Sequence, residues 1–352
     1  MSLERFLLRL PKVELHVHLE GSMRPAVLLE LARRNGIELP AQDEAGLKRW
    51  FRFTDFEHFV QVYLACSRAL RSPEDFQLLA LDFLTEQAYQ NVVYTEVHFT
   101  ISTHLANGVN GDEVLAALAE AIAEGERRHG VTLRLIPDIV RNVGVEPADR
   151  TLEWALAGWK RGVVAALGLS GSERLYPNEP FREHFAAAKR EGLRRVAHAG
   201  EHAGPESIRS VLDVCSAERI GHGVRAIEDP SLVEELRAAQ IPLEVCPTSN
   251  VCLGVFPDLP GHAFDRLYRS GLALSVNSDD PTFFNTNLTL EYLRLHQTFG
   301  YSPAELAGFS LAALRQSFLP EAERAALAES FRQQCDALGK EMFGVPVEPP
   351  VS

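Results

Sequence analysis

The sequence predicts an α/β fold, a single (β/α)8 TIM barrel over residues 1–352 with a helical insertion after the first strand. Three observations predict it. The chain has 352 residues, which fits one barrel of about 250 residues plus insertions. Short apolar, β-rich runs alternate with amphipathic stretches, and polar side chains stand at the ends of several runs.

The strand-like runs alternate with helical patterns, as expected for parallel βαβ units. Eight such units close naturally into a barrel. An open doubly wound sheet is the alternative, and the lack of a GxGxxG turn after the first run weakens it. The eight runs cover residues 13–19, 92–99, 133–140, 163–170, 194–200, 219–224, 242–248 and 273–279.

Two segments depart from this alternation. Residues 37–91 are longer than one crossover helix requires, and we expect a helical insertion that caps the barrel mouth. Its Phe56, Phe59 and Tyr63 would face a flat apolar ligand, although aromatic-rich helices are also typical of ordinary core packing. Residues 345–352 are predicted to form a loose tail.

The composition excludes some classes of partner. The net charge of −13 disfavours nucleic acid and anionic membrane surfaces. No apolar run approaches the roughly 20 residues of a membrane span, and no signal-peptide pattern is predicted. Five cysteines without CxxC spacing indicate reduced thiols and a cytoplasmic location. No feature predicts an oligomeric state.

The first run carries the first candidate metal ligands, His16 and His18. Side chains alternate along a strand, so both imidazoles point to the same face. Two inward imidazoles near a strand end can form half of a metal site. An HxH pair also arises by chance, however, and either histidine could be a core residue.

Further polar motifs end three other runs. His198 and Glu201 stand at the end of the fifth run, the sixth run holds His222, and Asp279 and Asp280 stand at the end of the eighth. The C-terminal ends of barrel strands converge on one rim, where barrel active sites lie. Distant segments therefore deliver histidines and carboxylates to one place, which indicates a catalytic metal site.

The donor types favour zinc, which takes imidazole and carboxylate ligands and keeps a position for water. The motifs also leave residues for proton transfer: Asp279 could accept a proton from the water, and His222 could orient or deprotonate it. Glu201 could face the substrate as a proton donor. Asp280 could bind the substrate, or cap a helix before Pro281. We predict one Zn2+ per chain, held by His16, His18, His198 and Asp279.

Six motifs in order resemble the adenosine/adenine deaminase family of the amidohydrolase superfamily: PKVELHVHLEGSMRP, LGLSGSE, HAGEHAGPESI, ERIGHGV, CPTSNV and NSDDP. The order and spacing fit that family from residue 11 to about residue 320. The resemblance implies a barrel with one zinc, bound by the four ligands named above, and deamination of a small 6-aminopurine.

The resemblance also implies roles for single residues. Glu201 would donate a proton to purine N1, and His222 would orient or activate the attacking hydroxide. Asp280 would contact N7, and the backbone N–H of Gly171 would contact N3. The predicted catalytic residues are thus Glu201, His222 and Asp279. The predicted substrate contacts are His18, Glu20, Phe56, Phe59, Gly171 and Asp280.

One position departs from the pattern of adenosine deaminases, which carry Asp after HVHL to bind the sugar 5′-hydroxyl. This chain has Glu20, and the segment after NSDDP loosely resembles the branch that acts on aminodeoxyfutalosine. We therefore predict a 6-aminopurine nucleoside substrate, either adenosine or a 5′-modified adenosine, with free adenine as the alternative. Arg24 and Arg68 could bind a substrate carboxylate, or be solvated surface charges.

Three other functions fit less well. An editing-type zinc deaminase needs HxE followed by PCxxC, and no PCxxC follows His18. A two-metal amidohydrolase would want a lysine at the end of the fourth strand, which instead ends in GLSGSE. A catalytically silent zinc-barrel binding protein would lack a ligand or the acid, and none is missing.

The remaining histidines give weak signals. His98, on the second run, could face inward or outward because alternate strand positions point to opposite faces. Those in helical or loop patterns are expected at the surface: His58, His104, His129, His184, His202, His262 and His296.

Overall fold

A ring of parallel strands forms the centre of the molecule. In the computed structural model, which describes residues 3–53 and 56–350, eight strands pair in sequence order, each parallel to the next. This confirms the (β/α)8 barrel. The strands are β1 (Lys12–His18), β2 (Val92–Phe99), β3 (Thr132–Val140), β4 (Ala166–Ser170), β5 (Arg194–Ala199), β6 (Arg219–His222), β7 (Leu243–Val245) and β8 (Leu274–Val276).

The barrel closes between its first and last strands, which an open doubly wound sheet would not do. Val17 and Asp279 form a parallel bridge just beyond β8. The backbone N–H of His18 donates to the Asp279 carbonyl at 2.7 Å, and the N–H of Asp279 donates to the His16 carbonyl at 3.1 Å. Closure is therefore made by segments that carry predicted metal ligands.

The last two strands are shorter than their runs predict. The run at 242–248 ends early because Pro247 begins a short helix, the position at which proline's missing N–H costs nothing. The run at 273–279 leaves regular strand geometry before Asp279, whose φ of 63° lies in the left-handed region.

Helices surround the barrel and follow most strands. Several end as their sequences predict, with glycine in the left-handed conformation at the C-terminus. In the described residues they are α1 (Leu3–Arg9), α2 (Pro25–Asn35), α3 (Glu44–Trp50), α4 (Phe56–Ser67), α5 (Pro73–Tyr89), α6 (Ile101–Ala106), α7 (Gly111–His129), α8 (Val145–Lys160), α9 (Arg182–Arg190), α10 (Pro205–Val214), α11 (Pro230–Ala239), α12 (Pro247–Cys252), α13 (Phe264–Arg269), α14 (Leu288–Phe299), α15 (Pro303–Gln316) and α16 (Glu321–Phe343). None of these is long and apolar enough to cross a membrane.

The two segments that interrupt the alternation are both folded against the barrel. Helices α3, α4 and α5 occupy the long connection between β1 and β2. Residues 345–350 have no regular secondary structure, but Val347 is buried. A methyl group on Gly339 of α16 would lie 2.5 Å from the Val347 nitrogen. The predicted loose tail therefore packs on α16 through Val347, while residues 351–352 lie outside the described residues.

Candidate active site

The C-terminal ends of β1 and β5 bring three imidazoles together. His16 and His18 both point into the barrel, and the Nε2 atoms of His18 and His198 are 3.2 Å apart. One donor atom from each of the four predicted ligands, with Asp279 as the fourth, lies within 4.8 Å of the others, and all four residues are buried. The structure thus assembles these side chains into a candidate metal centre.

Hydrogen bonds orient two of the imidazoles as metal ligands require. His198 Nδ1 lies 3.0 Å from the Leu169 carbonyl oxygen, which can only accept. The proton is therefore on Nδ1, and the Nε2 lone pair faces the site. His16 Nδ1 is 2.8 Å from the Glu244 carboxylate, while His16 Nε2 is buried without a partner. Burial and the neighbouring imidazoles hold the pKa of His16 well below its usual value. Neutral rings with inward lone pairs fit a divalent cation.

Asp279 supplies the oxygen donor of the cluster. Its Oδ1 atom lies 3.3 Å from His18 Nε2 and 3.7 Å from His16 Nε2. Its Oδ2 atom accepts a hydrogen bond from the Ser249 hydroxyl at 2.6 Å. The left-handed backbone at Asp279 is uncommon for a residue with a Cβ and is typical of functional sites.

Glu201 and His222 flank the metal cluster. His222 Nε2 lies 3.8 Å from Glu201 Oε2 and 3.9 Å from Asp279 Oδ2. Glu201 Oε2 is 3.0 Å from His202 Nδ1, and Glu201 Oε1 has no protein partner. Burial raises the pKa of Glu201, but His202 and His222 outweigh burial and lower it to about 2. Burial lowers the pKa of His202, but the Glu201 carboxylate outweighs it and raises that pKa. These opposite shifts favour a Glu201 carboxylate beside a protonated His202.

Asp280 also lies beside this cluster, and one of its oxygens is unused. It is buried, its Oδ1 atom has no hydrogen-bond partner, and burial together with the Asp279 charge raises its pKa well above the ordinary value. A methyl group on Gly21 would lie 1.7 Å from that Oδ1 atom. The absence of a side chain at Gly21 therefore makes room for the Asp280 carboxyl group.

A cavity of about 240 Å³ joins these groups. Its metal-side wall includes His18, Glu201 and Asp280, and Gly171 lies on the rim with a φ of +89°. The α4 wall is aromatic and includes two predicted contacts and one further ring: Phe56, Phe59 and Tyr63. A small, mostly apolar cavity with a few unpaired polar groups is typical of a small-molecule site.

The sequence matches a known enzyme family along nearly the whole chain. The sequence model of the adenosine deaminase family aligns with residues 11–334. This chain belongs to the adenosine deaminase family. As a member of it, the protein is a hydrolytic deaminase acting on C–N bonds, so the binding-protein hypothesis is wrong.

Named relatives and solved structures agree with this assignment. The chain is 36% identical to an adenine deaminase of Vibrio parahaemolyticus over 89% of this chain and 93% of the relative. It is 41% identical to one of Bordetella parapertussis, over 83% and 91%. An adenine deaminase structure from Arthrobacter aurescens aligns with a TM-score of 0.88 at 34% identity, covering 92% and 98%. A zinc-bound amidohydrolase structure from Burkholderia ambifaria aligns with a TM-score of 0.87 at 26% identity, covering 96% of each chain. That bound ion and the His/Asp cluster support a metal cofactor in this family member.

The predicted nucleoside substrate requires correction. Relatives that are 36–41% identical over 83–90% of this deaminase are named adenine deaminase, which favours the free-base alternative. Glu20, which was predicted to contact the substrate and to indicate a modified nucleoside, does not line the cavity. Its Oε1 atom accepts from the Thr100 N–H at 2.9 Å and contacts His104 Nε2 at 3.0 Å. Arg24 and Arg68 do not line this cavity either, and Arg24 pairs with Asp82 and Glu86 on α5.

Several histidines expected at the surface of this deaminase are instead buried. His104 pairs with Glu20, His184 with Asp149, and His262 with Asn250. His202 contacts Glu201 and packs its ring 4.5 Å from that of Phe56. His98 points inward, but its Nδ1 atom is 2.9 Å from Asp138 and it does not line the cavity. Helix and loop periodicity cannot reveal the pairs of His98, His104 and His184, because their partners lie at least 35 positions away along the chain.

Two residues that hydrogen-bond to the backbone around the active site were not predicted from the sequence. Buried Arg141 donates to the carbonyls of His198 at 2.7 Å and Gly171 at 3.3 Å. Glu173 accepts from the backbone N–H of Gly200 at 2.7 Å and of His202 at 3.0 Å. The signals available in the sequence were an arginine directly after the third run, Arg141, and the glutamate of LGLSGSE, Glu173.

Proposed function

We propose that this protein hydrolyses free adenine to hypoxanthine and ammonia, with one zinc ion bound by His16, His18, His198 and Asp279. The observation that carries the proposal is the pair of carboxyl groups of Glu201 and Asp280, which line one small cavity beside the metal cluster and each keep one buried oxygen without a hydrogen-bond partner. A purine ring presents N1 and N7 as acceptors on either side of C6. The names of the relatives support the free base as the substrate.

The zinc supplies one function in this proposal: when bound, it lowers the pKa of a water from about 16 to about 7 and so provides a nucleophile at neutral pH. Neutral His16 and His198, with lone pairs directed inward, suit that ion. All other steps belong to the protein side chains.

The reaction adds water across C6 and N1 of the ring and then removes ammonia. The water oxygen bonds to C6 while the His202–Glu201 pair delivers a proton to N1, which prevents negative charge from accumulating on the ring. Asp279 accepts a proton from the water and passes it to the departing nitrogen. The C6–N bond breaks, ammonia leaves, and the hydroxyl proton of the intermediate is released to recharge the acid. The product retains a proton on N1 and an oxygen on C6.

Other groups hold the ring in position. Because N7 of adenine is an acceptor, Asp280 must donate to it, and its raised pKa favours the protonated carboxyl that can do so. The backbone N–H of Gly171, a residue that lines the cavity, would donate to N3. Phe56 and Phe59 on α4 cover the apolar faces of the ring, so α4 serves as the cap predicted for segment 37–91.

All five cysteines are unpaired thiols, which supports a cytoplasmic location.

The decisive experiment compares adenine with adenosine for the purified, zinc-loaded protein, following absorbance and ammonia release. We expect kcat/KM for adenine to exceed that for adenosine by at least about 100-fold, because a buried site rejects a bulky substituent. Preference for adenosine, or no ammonia from adenine, would overturn the substrate.

Metal analysis tests the cofactor independently. We expect one zinc per chain, and Glu201→Gln should retain it while kcat falls at least about 100-fold. Loss of zinc in that variant, or an unchanged kcat, would remove Glu201 from its proposed role.

A further inference from the structure

A chain of four buried groups runs from a backbone amide to the active site. The N–H of Phe264 lies 3.0 Å from His262 Nδ1, and His262 Nε2 lies 3.1 Å from Asn250 Oδ1. Asn250 Nδ2 lies 3.2 Å from His222 Nδ1. The side chains of His262, Asn250 and His222 are almost inaccessible to solvent, so water does not compete for these bonds.

The donor and acceptor of every hydrogen bond in this series follow from the first bond, which the Phe264 N–H donates. A backbone N–H can only donate, so His262 Nδ1 must accept. A neutral imidazole carries one proton, which must then be on His262 Nε2, and that atom donates to Asn250 Oδ1. Burial lowers the pKa of His262 to about 3, so the ring is neutral at physiological pH.

The same logic continues to His222. With its oxygen engaged by His262, Asn250 presents its NH2 group to His222 Nδ1, which must accept. The reverse amide orientation would require both nitrogens of neutral His262 to accept, which is impossible. The proton of neutral His222 is therefore on Nε2, the atom that faces Glu201 and Asp279 at 3.8 and 3.9 Å.

We infer that His262 and Asn250 are positioning residues that fix His222 as an Nε2–H donor toward the attacking oxygen. His222 then orients and stabilises that oxygen but does not remove its proton, because a lone pair on Nε2 would force a proton onto Nδ1 against the Asn250 NH2 group. Proton acceptance falls to Asp279. This inference rests on the proposed function for its kinetic test.

The sharpest variant is Asn250→Asp, which keeps the shape of the side chain and the contact with His262 but presents only acceptors to His222. The proton of His222 should move to Nδ1. A wrong histidine tautomer costs about 10⁴-fold in kcat in a serine protease triad, so we expect kcat to fall about 10²–10⁴-fold with adenine. KM, zinc content and melting temperature should change little.

His262 provides a matched pair of variants. His262→Gln can still accept from Phe264 N–H and donate to Asn250, and should retain at least about a tenth of wild-type kcat. His262→Leu can do neither and should lose more than Gln does by at least about tenfold. In a His222→Ala background, Asn250→Asp should cause no further loss of kcat. Equal losses for Gln and Leu, or a further loss in the His222→Ala background, would overturn the inference.

A measurement without substrate separates this inference from the proposed function. Nitrogen-15 NMR of the zinc-loaded wild type should show neutral His222 protonated on Nε2, and on Nδ1 in Asn250→Asp. An Nδ1-protonated His222 in the wild type, or full activity of Asn250→Asp, would overturn the inference. Absence of activity on adenine together with Nε2-protonated His222 would overturn only the substrate.

Discussion

Oε1 of Glu173 lies 3.1 Å from the backbone nitrogen of Glu201 and accepts its hydrogen bond. The same carboxylate accepts from the N–H groups on either side of Glu201 and from the Ser207 hydroxyl at 2.6 Å. One surface-proximal carboxylate thus fixes the loop that presents the proposed acid. A misplacement of about 1 Å can cost about 10²-fold in rate.

Glu173→Gln should therefore lower kcat about 10–100-fold, because an amide offers one oxygen where two are used and places a donor against backbone donors. KM for adenine and zinc content should stay close to wild type. Ser207→Ala is the matched control, since it removes one bond to the carboxylate but leaves the three backbone bonds, and should cost less than about threefold. Steady-state kinetics check both, and equal effects in the two variants would contradict the prediction.

Gly21→Ala should displace the Asp280 carboxyl group, since the added methyl would overlap Oδ1. We expect kcat/KM for adenine to fall at least about 10-fold while bound zinc is retained, because Asp280 is not a proposed ligand. Gly36→Ala, at a left-handed helix end with open space around it, controls for the loss of stability that a strained alanine causes away from the active site. Wild-type kinetics of Gly21→Ala would contradict the proposed contact.

Glu244→Gln should weaken zinc binding. The two oxygens of Glu244 engage His16 Nδ1 and, at 2.5 Å, Arg219 Nε, so an amide must turn its NH2 group toward one of these donors. Loss of a carboxylate behind a metal-ligating histidine typically costs 10–100-fold in metal affinity. Competition with a chelator measures this change. An unchanged chelator midpoint would show that Glu244 does not support His16 as a ligand.

Lys12 predicts a pH dependence of stability. Its buried ammonium donates to the carbonyls of Leu7 and Leu10 at 2.6 and 2.7 Å, and burial lowers its pKa from 10.5 to about 7. Between these values the unfolded state binds more protons than the folded state. The free energy of unfolding should therefore rise with pH, by up to about 1.4 kcal/mol per pH unit.

The test for Lys12 compares urea unfolding of the wild type and Lys12→Met at pH 7, 8 and 9. The difference in unfolding free energy, wild type minus variant, should increase at each step because the methionine does not titrate. A difference that stays constant or decreases with pH would contradict the prediction.

The barrel and the metal cluster were predictable because both follow from repetition. Parallel strands alternate with helices, and their C-terminal ends must converge, so His16, His198 and Asp279 could be placed on one rim without coordinates. Gly171 and Asp280 were placed by family resemblance, and both line the cavity in the structure.

The residues that escaped prediction act through partners that no local pattern reveals. Glu20 lies two positions after a predicted ligand and was predicted to contact the substrate, but its carboxylate engages Thr100 and His104, about 80 residues away. His262 looked like a loop histidine, yet its burial next to Asn250 depends on how α12 and α13 pack. The substrate escaped for a similar reason, because cavity shape depends on which neighbouring side chains occupy the space.

The join between the first and last strands has a thermodynamic consequence. His16, His18 and Asp279 make the backbone hydrogen bonds that close the barrel, and their side chains would bind the metal ion. Metal binding and closure of the barrel are therefore linked equilibria. Metal binding must stabilise the closed barrel by the same free energy by which closure strengthens metal binding. Chelation should consequently accelerate amide hydrogen exchange first at His18 and Asp279. Local unfolding of the metal-free protein would then begin where the first strand pairs with the segment after the last strand.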